Sequence, residues 1–485
     1  MADRQGWLVP ALAIVGAITA ARIVLLALNG TDLFVDEAQY WLWGQELAFG
    51  YYSKPPLIGW VIRATTELAG SDAAFWVRLP APLFHAATAL ILGRIAAGLW
   101  GRGPGILAAS VYATLPMVAL ASLLMSTDTI MFPFLAAALG LWTWLLSGRA
   151  PRPMAAAAGA GAMLGLAFMG KYAAIYYLGL GALAALHPAW RPRAGQAALA
   201  LAAFALVVAP NVVWNLLNGL TTVSHTMDNA GWVKAGPDSL HPGKAASFLA
   251  GQFLVFGPVP FALLLALGLR RLRGPVAGVP GLLILLSLPI VALITAQGLL
   301  ERAYANWAAA AYLAGTLAVV PWLLRHRVLV ILSFAVNGAI CLALPLATLW
   351  PAELQFGKEP VLHRYLGRAD LSRRILDAAD RAGAVAIVTD NRDILADLFH
   401  TGRDAGIGLH GLPASGAPRH YYAQLHALPG PLDGPILVVG LGPGSIPCAT
   451  APHPDDPLVA GPGEHFGRSF RLLLAPGDCW AGTGD

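Results

Sequence analysis

The chain has 485 residues, of which 57% are hydrophobic and only 12% charged, and its formal net charge is +5. Soluble globular proteins carry about one quarter charged residues, so this composition excludes a soluble enzyme and indicates an integral membrane protein. The positive charge does not indicate nucleic-acid binding, because the arginines stand in short clusters between hydrophobic runs, as is typical of membrane orientation.

Hydrophobic runs without heptads recur along the first 350 residues and predict a multi-spanning α-helical module of about eleven helices. The first run, Leu8–Leu28, is long for a signal peptide and is followed by further runs, so we expect an uncleaved first helix. Several runs are short enough to predict tilted or discontinuous spans. The remaining predicted spans are Leu79–Leu99, Gly105–Ala121, Thr129–Leu146, Met154–Met169, Tyr172–Leu186, Ala197–Trp214, Ser247–Gly268, Gly278–Ala296, Ala308–Leu324 and Val328–Leu349.

The loops between these runs predict the orientation of the chain. If the spans alternate, every short arginine-rich loop falls on one side, which the positive-inside rule assigns to the cytoplasm together with the N-terminus. An odd number of spans then places the C-terminal part outside, which is the periplasm for a protein of the bacterial inner membrane. The longer polar segments fall on the same outer face, so we expect the function there. The loop arginines are Arg4, Arg102, Arg149, Arg152, Arg191, Arg193, Arg270, Arg271, Arg273, Arg325 and Arg327.

The composition changes near Pro351, after the membrane module of residues 1–350. Alternating helix and strand patterns there predict a small extracytoplasmic α/β domain over residues 351–485. Cys448 and Cys479 lie in this domain, and the sequence leaves open whether they form a disulfide. The predicted elements are helices at Asp370–Ala382 and Ile394–Phe399, and strands at Ala384–Thr389 and Pro435–Val439.

The first external loop, residues 29–78, contains the most unusual polar residues. Asp36 and Glu37 are adjacent, so on a helix their side chains diverge by about 100° and serve different partners. Lys54 precedes two prolines, which favour an extended segment and fix the direction of the ammonium. A carboxylate and a cation here can hold a proton acceptor and a phosphate. The alternative, equally open from this loop alone, is an interfacial helix whose belt aromatics are Tyr40, Trp41, Trp43, Tyr51 and Tyr52.

Three further segments on the same predicted face carry ionisable groups. Asp128 starts a hydrophobic run, where it or Thr127 can cap a helix and Asp128 can also serve in chemistry. Lys171, between two short spans, is a candidate anion site, and the alternative is an ordinary snorkelling lysine. Arg302 and Tyr304 precede the tenth span and can clamp a phosphate, against the alternative of another interfacial belt.

The long loop between the seventh and eighth spans contains histidines. His225 and Asp228, with His241 further along, have side chains that can bind a metal ion. Such polar loop residues are more often simply solvated, so both interpretations stay open.

Four motifs carry a resemblance to a known family. The sequence resembles the glycosyltransferase family 39 type of the GT-C superfamily, which includes the bacterial aminoarabinose transferases of lipid A and the dolichyl-phosphate-mannose protein mannosyltransferase-like proteins. The resemblance implies a membrane transferase with the GT-C fold. It also implies a polyprenyl-phosphate-linked sugar donor, action on the outer face and inversion at the sugar carbon. The motifs are Asp36-Glu37-Ala38-x-Tyr40-Trp41, Tyr51-Tyr52-x-Lys54-Pro55-Pro56-Leu57, Arg78-Leu79-Pro80 and Ser126-x-Asp128.

The resemblance also implies roles for individual residues. Asp36 matches the catalytic aspartate of the first loop, Glu37 its adjacent acid, and Asp128 the second acidic position. Lys54 matches the lysine that contacts the donor phosphate. The tyrosines that match positions near the donor or its phosphate are Tyr40, Tyr52 and Tyr304.

The positions related to metal binding and to the sugar substrate match the aminoarabinose enzymes less well. His225 or His241 corresponds to a histidine near a metal in the aminoarabinose enzymes, and Glu37 is the third candidate ligand. Ser53 stands where those enzymes have a glutamate, which weakens the case for a divalent metal, the only candidate cofactor. Gln39 stands where they have an arginine, which weakens the case for aminoarabinose as the substrate.

We therefore expect an inverting membrane glycosyltransferase with Asp36 as the general base. Lys54, Lys171 or Arg302 can stabilise the departing polyprenyl phosphate without a nucleotide. The expected acceptor is lipid A, another glycan, another lipid or a protein, and the expected surroundings are membrane lipids and no nucleic acid. The alternative is a transporter or flippase, which predicts ionisable residues near the bilayer midplane and internal repeats. We find neither in the sequence.

Overall fold

The computed structural model describes residues 6–230, 240–274, 278–357, 359–413, 418–442 and 446–480. The chain forms two compact units. We call them the helical unit, which comprises Met1–Ala27, Ala48–Val61 and Arg78–Leu346, and the sheet unit, which comprises Leu28–Leu47, Ile62–Val77 and Ala347–Asp485. The first loop is therefore divided between the two units.

Helices dominate the described part of the chain before the sheet. Five of them, α5, α7, α9, α13 and α14 in the bounds below, begin at a proline, which fits the first position of a helix. Their bounds are α1 Leu8–Ala27, α2 Val35–Gln45, α3 Leu57–Ala69, α4 Ala74–Arg78, α5 Pro80–Trp100, α6 Arg102–Ala113, α7 Pro116–Ala121, α8 Thr127–Leu146, α9 Pro153–Gly170, α10 Ile175–Ala184, α11 Ala194–Leu217, α12 Thr221–Ala230, α13 Pro242–Val255, α14 Pro258–Leu272, α15 Gly278–Leu285, α16 Leu288–Leu300, α17 Ala311–Leu323 and α18 Arg327–Ala347.

Seven segments in the described residues are long and apolar enough to cross a membrane, or eight if one bent pair counts as a span. About eleven spans were expected from the sequence, several of them short or discontinuous, and the described residues include such interrupted and shorter helices. Three of the predicted spans are shorter helical pieces, at α6–α7, at α10 and at α17. The seven segments are Leu8–Ala27, Ala74–Trp100, Thr127–Leu146, Pro153–Gly170, Ala194–Leu217, Gly278–Leu300 and Arg327–Ala347.

Glycine and proline explain where the predicted spans break. The predicted span Ser247–Gly268 is two helices, α13 and α14, which meet at an angle of 119°. Gly257 lies between them with φ of +90°, a conformation that favours glycine, and Pro258 starts the second helix. In the same way Pro116 begins α7 and separates it from α6. Hydropathy alone does not register these interruptions, because most of the flanking residues are apolar.

Small residues allow the helices of the helical unit to pack closely. A Cβ atom on Gly161 of α9 would lie 1.9 Å from the carbonyl oxygen of Ala200 on α11. One on Gly170 would lie 3.1 Å from the backbone nitrogen of Met131 on α8. Close backbone approach at small residues is a common way for helices to associate in membranes. The α9 helix is thereby held between α8 and α11.

In the described residues of the sheet unit, five strands form a mixed sheet in the order β4-β3-β5-β9-β6. Strand β3 is parallel to β4 and β5, whereas β9 is antiparallel to β5 and β6. Two further two-stranded pairs are β1–β2 and β7–β8. The strands are β1 Gln355–Phe356, β2 Glu359–Pro360, β3 Ala386–Thr389, β4 Gly408–Gly411, β5 Pro435–Val439, β6 Ala451–Pro452, β7 Leu458–Val459, β8 Ser469–Phe470 and β9 Leu472–Pro476; the helices are α19 Arg368–Arg381, α20 Arg392–Thr401 and α21 Tyr421–Leu425.

The predicted elements of this domain are confirmed within a few residues at each end. Alternate residues of β3 and β5 face opposite sides of the sheet, as the period of a strand requires. Ile387 and Leu437 pack on the side of α19 and α20, and Val388 and Val438 pack on the other. Both faces are covered, which explains why the two strands consist of nearly continuous apolar residues.

The open question about the cysteines is settled by the structure. Cys448 and Cys479 form a disulfide, with 5.3 Å between their Cα atoms. Cys341, in the helical unit, is a buried free thiol.

Candidate active site

The first-loop helix α2 separates its two adjacent carboxylates, as expected from the helical angle. Glu37 is fully buried, and its Oε2 accepts a hydrogen bond from the backbone N–H of Phe34 at 2.9 Å. This contact satisfies a free N–H group at the start of α2. The side chain of Asp36 is instead 43% exposed. Of the two acids, Asp36 is the one that an acceptor molecule can reach.

Asp36 forms an ion pair that the sequence analysis did not anticipate. Its Oδ1 accepts a hydrogen bond at 2.5 Å from Nη2 of Arg392, the first residue of α20. Arg392 Nε donates to Oε1 of Gln39 at 2.9 Å. Burial lowers the pKa of Arg392, but the charge and the hydrogen bond of Asp36, with Tyr422 and Tyr40 nearby, together raise it, so the net pKa is above its ordinary value. The guanidinium therefore stays charged beside Asp36.

Aromatic residues of α2 are buried within the sheet unit, so the alternative of a membrane belt is wrong for Tyr40, Trp41 and Trp43. Trp41 Nε1 donates to Oδ1 of Asp72 at 2.7 Å, and its ring makes an edge contact with His400. His400 Nε2 lies 2.8 Å from the backbone oxygen of Asp72. These contacts fix α2 against α20 and set the position of Asp36.

The Lys54 segment belongs to the helical unit, where helices α11 and α12 hold its backbone. Asn211 Nδ2 donates to the carbonyl oxygen of Phe49 at 2.7 Å, and Thr222 Oγ1 donates to that of Tyr51 at the same distance. The ring of Tyr52 lies 4.9 Å from the ring of His225. Lys54 itself is half-buried just before α3. The asparagine and threonine anchors were missed, although a polar residue inside an apolar helix is a usable signal.

Asp128 lies in the first turn of α8 and brings three distant segments together. The residue that caps α8 is Ser126, whose Oγ accepts from the N–H of Thr129 at 3.2 Å, and not Thr127 or Asp128 as expected. Asp128 Oδ2 accepts from Nζ of Lys171 at 2.7 Å and from Nδ2 of Asn306 at 3.2 Å. The prediction that these segments lie on one face of the membrane module agrees with this contact.

A buried polar chain supports the start of α8. His85 Nε2 lies 3.2 Å from Oγ1 of Thr129, and His85 Nδ1 lies 3.0 Å from the hydroxyl of Tyr112. The Thr129 hydroxyl also lies 3.0 Å from Oγ of Ser126. Buried polar groups that are joined in this way restrict the orientation of the helix end that carries Asp128.

Arg302 and Tyr304 form a pair on the surface of the helical unit. Arg302 Nη1 donates to the Tyr304 hydroxyl at 2.9 Å, and the Tyr304 ring makes an edge contact with Trp307. Both members of the pair are exposed. From this segment it is Asn306 that reaches Asp128.

The candidate metal ligands do not form a metal site in the part of the chain that the structure describes. No three side chains of His, Cys, Asp or Glu converge among these residues. His241 instead precedes α13, with its backbone N–H donating to the carbonyl oxygen of Leu299 at 2.7 Å. The side chain of Asp228 lies outside the described residues.

Comparison with known proteins identifies the class. Residues 53–214 match the family of dolichyl-phosphate-mannose-protein mannosyltransferases. The chain is 44% identical over 486 residues to the lipid A galacturonosyltransferase RgtD of Rhizobium johnstonii, covering 99% of this chain and 100% of that protein.

The fold is also similar to solved structures of ArnT from Cupriavidus metallidurans. The structure bound to undecaprenyl phosphate gives a TM-score of 0.65 at 14% identity, covering 95% of this chain and 98% of that one. The apo structure gives a TM-score of 0.62 at 14% identity, covering 96% and 98%.

A multi-spanning helical unit of this fold, with ionisable residues at its helix ends and a small α/β unit, defines a membrane glycosyltransferase of the GT-C superfamily. The sequence comparison identifies the family more narrowly than the fold does. The chain belongs to the glycosyltransferase family that includes the lipid A galacturonosyltransferase of Rhizobium johnstonii. The expectation of an enzyme is thus confirmed, and the transporter alternative is wrong.

Proposed function

We propose that this protein transfers a galacturonosyl group from a polyprenyl-phosphate-linked donor to lipid A. The observation that carries the proposal is the 44% identity, over essentially the whole of both chains, with an enzyme of that activity. The fold of an undecaprenyl-phosphate-bound relative supports the polyprenyl donor. A sugar other than aminoarabinose also agrees with Gln39, which stands where the aminoarabinose enzymes have an arginine.

We place the reaction on the periplasmic face of the inner membrane, with the N-terminus in the cytoplasm. The arginine-rich loops support this orientation through the positive-inside rule. The Cys448–Cys479 disulfide supports a periplasmic sheet unit, because disulfides persist in oxidising compartments. Cysteine-accessibility labelling of intact cells at Asp404 and at Ala194, each replaced by cysteine, tests the orientation. Labelling of the second position alone contradicts it.

The reaction needs a base and a stabilised leaving group. An acceptor hydroxyl oxygen forms a bond to the anomeric carbon while the bond from that carbon to the phosphate oxygen breaks. The electron pair leaves with polyprenyl phosphate, and the hydroxyl proton passes to Asp36. Attack from the side opposite the phosphate inverts the anomeric centre. A positioned carboxylate base contributes about 10²- to 10⁴-fold to such a step.

Among the cations, we assign the departing phosphate to Lys54, because it matches the lysine that contacts the donor phosphate in the family that the sequence resembles. Lys171 forms an ion pair with Asp128. Arg302 and Tyr304 are exposed and offer a second phosphate contact through the guanidinium. Tyr52 and His225 pack together beside the Lys54 segment, which gives both a positioning role.

Glu37, Tyr40 and Asp128 take supporting parts in this proposal. Glu37 holds the start of α2, and Tyr40 packs against Trp43 on the same helix, so both position Asp36. Asp128 joins the start of α8 to the end of α9 through its contact with Lys171, and this contact stabilises the arrangement of the two helix ends.

The test is transfer by the purified protein in detergent, with undecaprenyl-phosphate galacturonic acid as the donor and lipid A as the acceptor. Mass spectrometry follows the gain of one uronic acid by lipid A. We expect Asp36→Asn and Lys54→Ala each to lower kcat by at least about 10²-fold. The exposed residues Asp404 and Lys244 provide matched controls, Asp404→Asn and Lys244→Ala.

Two outcomes would count against the proposal in different ways. Unchanged transfer by both site variants overturns the residue assignments. A wild-type protein that transfers only a neutral or amino sugar overturns the choice of galacturonic acid.

A further inference from the structure

We propose that Arg392 is the positioning residue for Asp36, so that the sheet unit contributes directly to the transfer reaction. The proposal rests on the proposed function only in taking Asp36 as the base. It assigns a role to a residue that lies 356 positions away in the sequence.

The geometry is a two-point clamp on one face of a helix. Asp36 and Gln39 are three residues apart on α2, so their side chains lie on the same face. Arg392 binds the first through Nη2 and the second through Nε. The guanidinium is planar and its donors are fixed relative to one another, so contact with Gln39 sets the direction of the bond to Asp36. A lysine has no equivalent second donor on a rigid plane.

The clamp leaves part of Asp36 available for chemistry. Its Oδ1 is engaged by Arg392, whereas no hydrogen bond to Oδ2 is present among the described residues. The side chain of Asp36 is 43% exposed and that of Arg392 is 37% exposed. Arg392 therefore holds the carboxylate through one oxygen and leaves the other to receive a proton from the acceptor.

Helix stability does not explain the arginine. Arg392 is the first residue of α20, where the helix dipole disfavours a cation. The start of α20 is capped by Asn391, whose Oδ1 accepts from the N–H groups of Asp393 and Ile394 at 3.0 and 3.4 Å. The Asp36 carboxylate is the partner that compensates for a positive charge at this place.

The test measures kcat and KM with whichever polyprenyl-phosphate sugar the wild-type protein uses. We expect Arg392→Ala to lower kcat by about 10- to 100-fold with little change in the donor KM, because orientation of the base is lost and donor binding is not. Added guanidinium ions restore part of the rate, since the side chain is reachable from water. Arg392→Lys retains the charge and loses the second contact, so it gives an intermediate rate.

Two further variants separate positioning from folding. Gln39→Leu removes the second contact alone and lowers kcat less than Arg392→Ala does. In an Asp36→Asn background, Arg392→Ala produces no further loss, because coupled residues are not additive. The control is Arg419→Ala, which removes an exposed ion pair with Asp390 in the same unit and leaves kcat unchanged.

The results decide whether Arg392 positions Asp36 or only stabilises the fold. A wild-type kcat in Arg392→Ala overturns the proposal. So does a loss that guanidinium fails to restore and that adds fully to the Asp36→Asn loss. A wild-type protein that uses another sugar contradicts the proposed function and leaves this test in force.

Discussion

The ammonium of Lys171 lies 2.7 Å from a carboxylate oxygen of Asp128, where the end of α9 meets the start of α8. The two side chains are only 16% and 9% exposed. Removing one member of such a pair leaves a charge without its partner in a poorly solvated place.

We therefore expect Lys171→Met to destabilise the helical unit by about 3 kcal/mol. The double variant with Lys171→Met and Asp128→Asn should recover much of this lost stability, because neither charge is then left alone. Thermal unfolding in detergent provides the measurement. Lys244→Met removes an exposed lysine of the same unit and serves as the control. A Lys171→Met protein as stable as the wild type would show that the ion pair contributes nothing to folding.

Gly161 should be sensitive to a single methyl group. A Cβ there would lie 1.9 Å from the Ala200 carbonyl oxygen, so Gly161→Ala must push α9 and α11 apart, at a cost of about 1–3 kcal/mol or more. The comparison is Gly179→Ala on α10, where a Cβ meets nothing within 4 Å. The unfolding temperature of Gly161→Ala should be the lower of the two. Equal unfolding temperatures would mean that α9 and α11 do not approach each other this closely.

The sheet unit should lose stability in mild acid. Burial lowers the pKa of His400 below its ordinary 6.5, so the folded protein keeps this ring neutral. Below that pH the unfolded chain takes up a proton that the folded chain resists. The stabilisation is thus complete above about pH 6.5 and is lost as pH falls through the lowered pKa.

We expect the stability of the sheet unit to depend less on pH in His400→Gln than in the wild type. Tryptophan fluorescence during thermal unfolding, from about pH 7.5 to about pH 5, measures it. The control is His363→Gln, at a partly exposed position in the same unit. If the unfolding temperature of His400→Gln falls with pH as steeply as that of the wild type, the acid sensitivity belongs to other histidines. Burial also lowers the pKa of His420 and His426.

Loss of the disulfide should weaken the sheet unit specifically. The bond joins cysteines 31 positions apart, and closing a loop of that size lowers the entropy of the unfolded chain enough to stabilise the folded unit by about 4 kcal/mol. We expect Cys448→Ala with Cys479→Ala to lower the unfolding temperature of this unit and to leave that of the helical unit unchanged. Cys341→Ala, which removes the buried free thiol, leaves the disulfide in place. Equal behaviour of the two variants would contradict the expectation.

The sequence was sufficient where the signal is local. The parallel strands β3 and β5 are continuous apolar runs, and α19 has the periodicity of an amphipathic helix, so these elements could be predicted. The adjacent acids of α2 were expected to diverge, and they do. Breaks inside apolar runs were harder to place, because Gly257 and Pro258 hardly change the hydropathy of their neighbourhood.

Partners that are distant in sequence could not be predicted from local patterns. Nothing near Asp36 indicates that its partner is Arg392, and nothing near Trp41 indicates Asp72 or His400. The same tryptophan is equally suitable for a membrane interface and for a buried helix contact, since its ring is apolar and its N–H needs one acceptor. Only the fold decides between these environments.

The division of the first loop also affects how the protein is made. Residues of α2 find their partners on α20, and the contacting pair Asp36 and Arg392 is separated by 356 positions. At a synthesis rate of about 5–20 residues per second, α20 emerges from the ribosome roughly 20 to 70 s after α2. During that interval Tyr40, Trp41 and Trp43 have no sheet unit to cover them. The nascent chain must be kept from aggregating until its last third is complete.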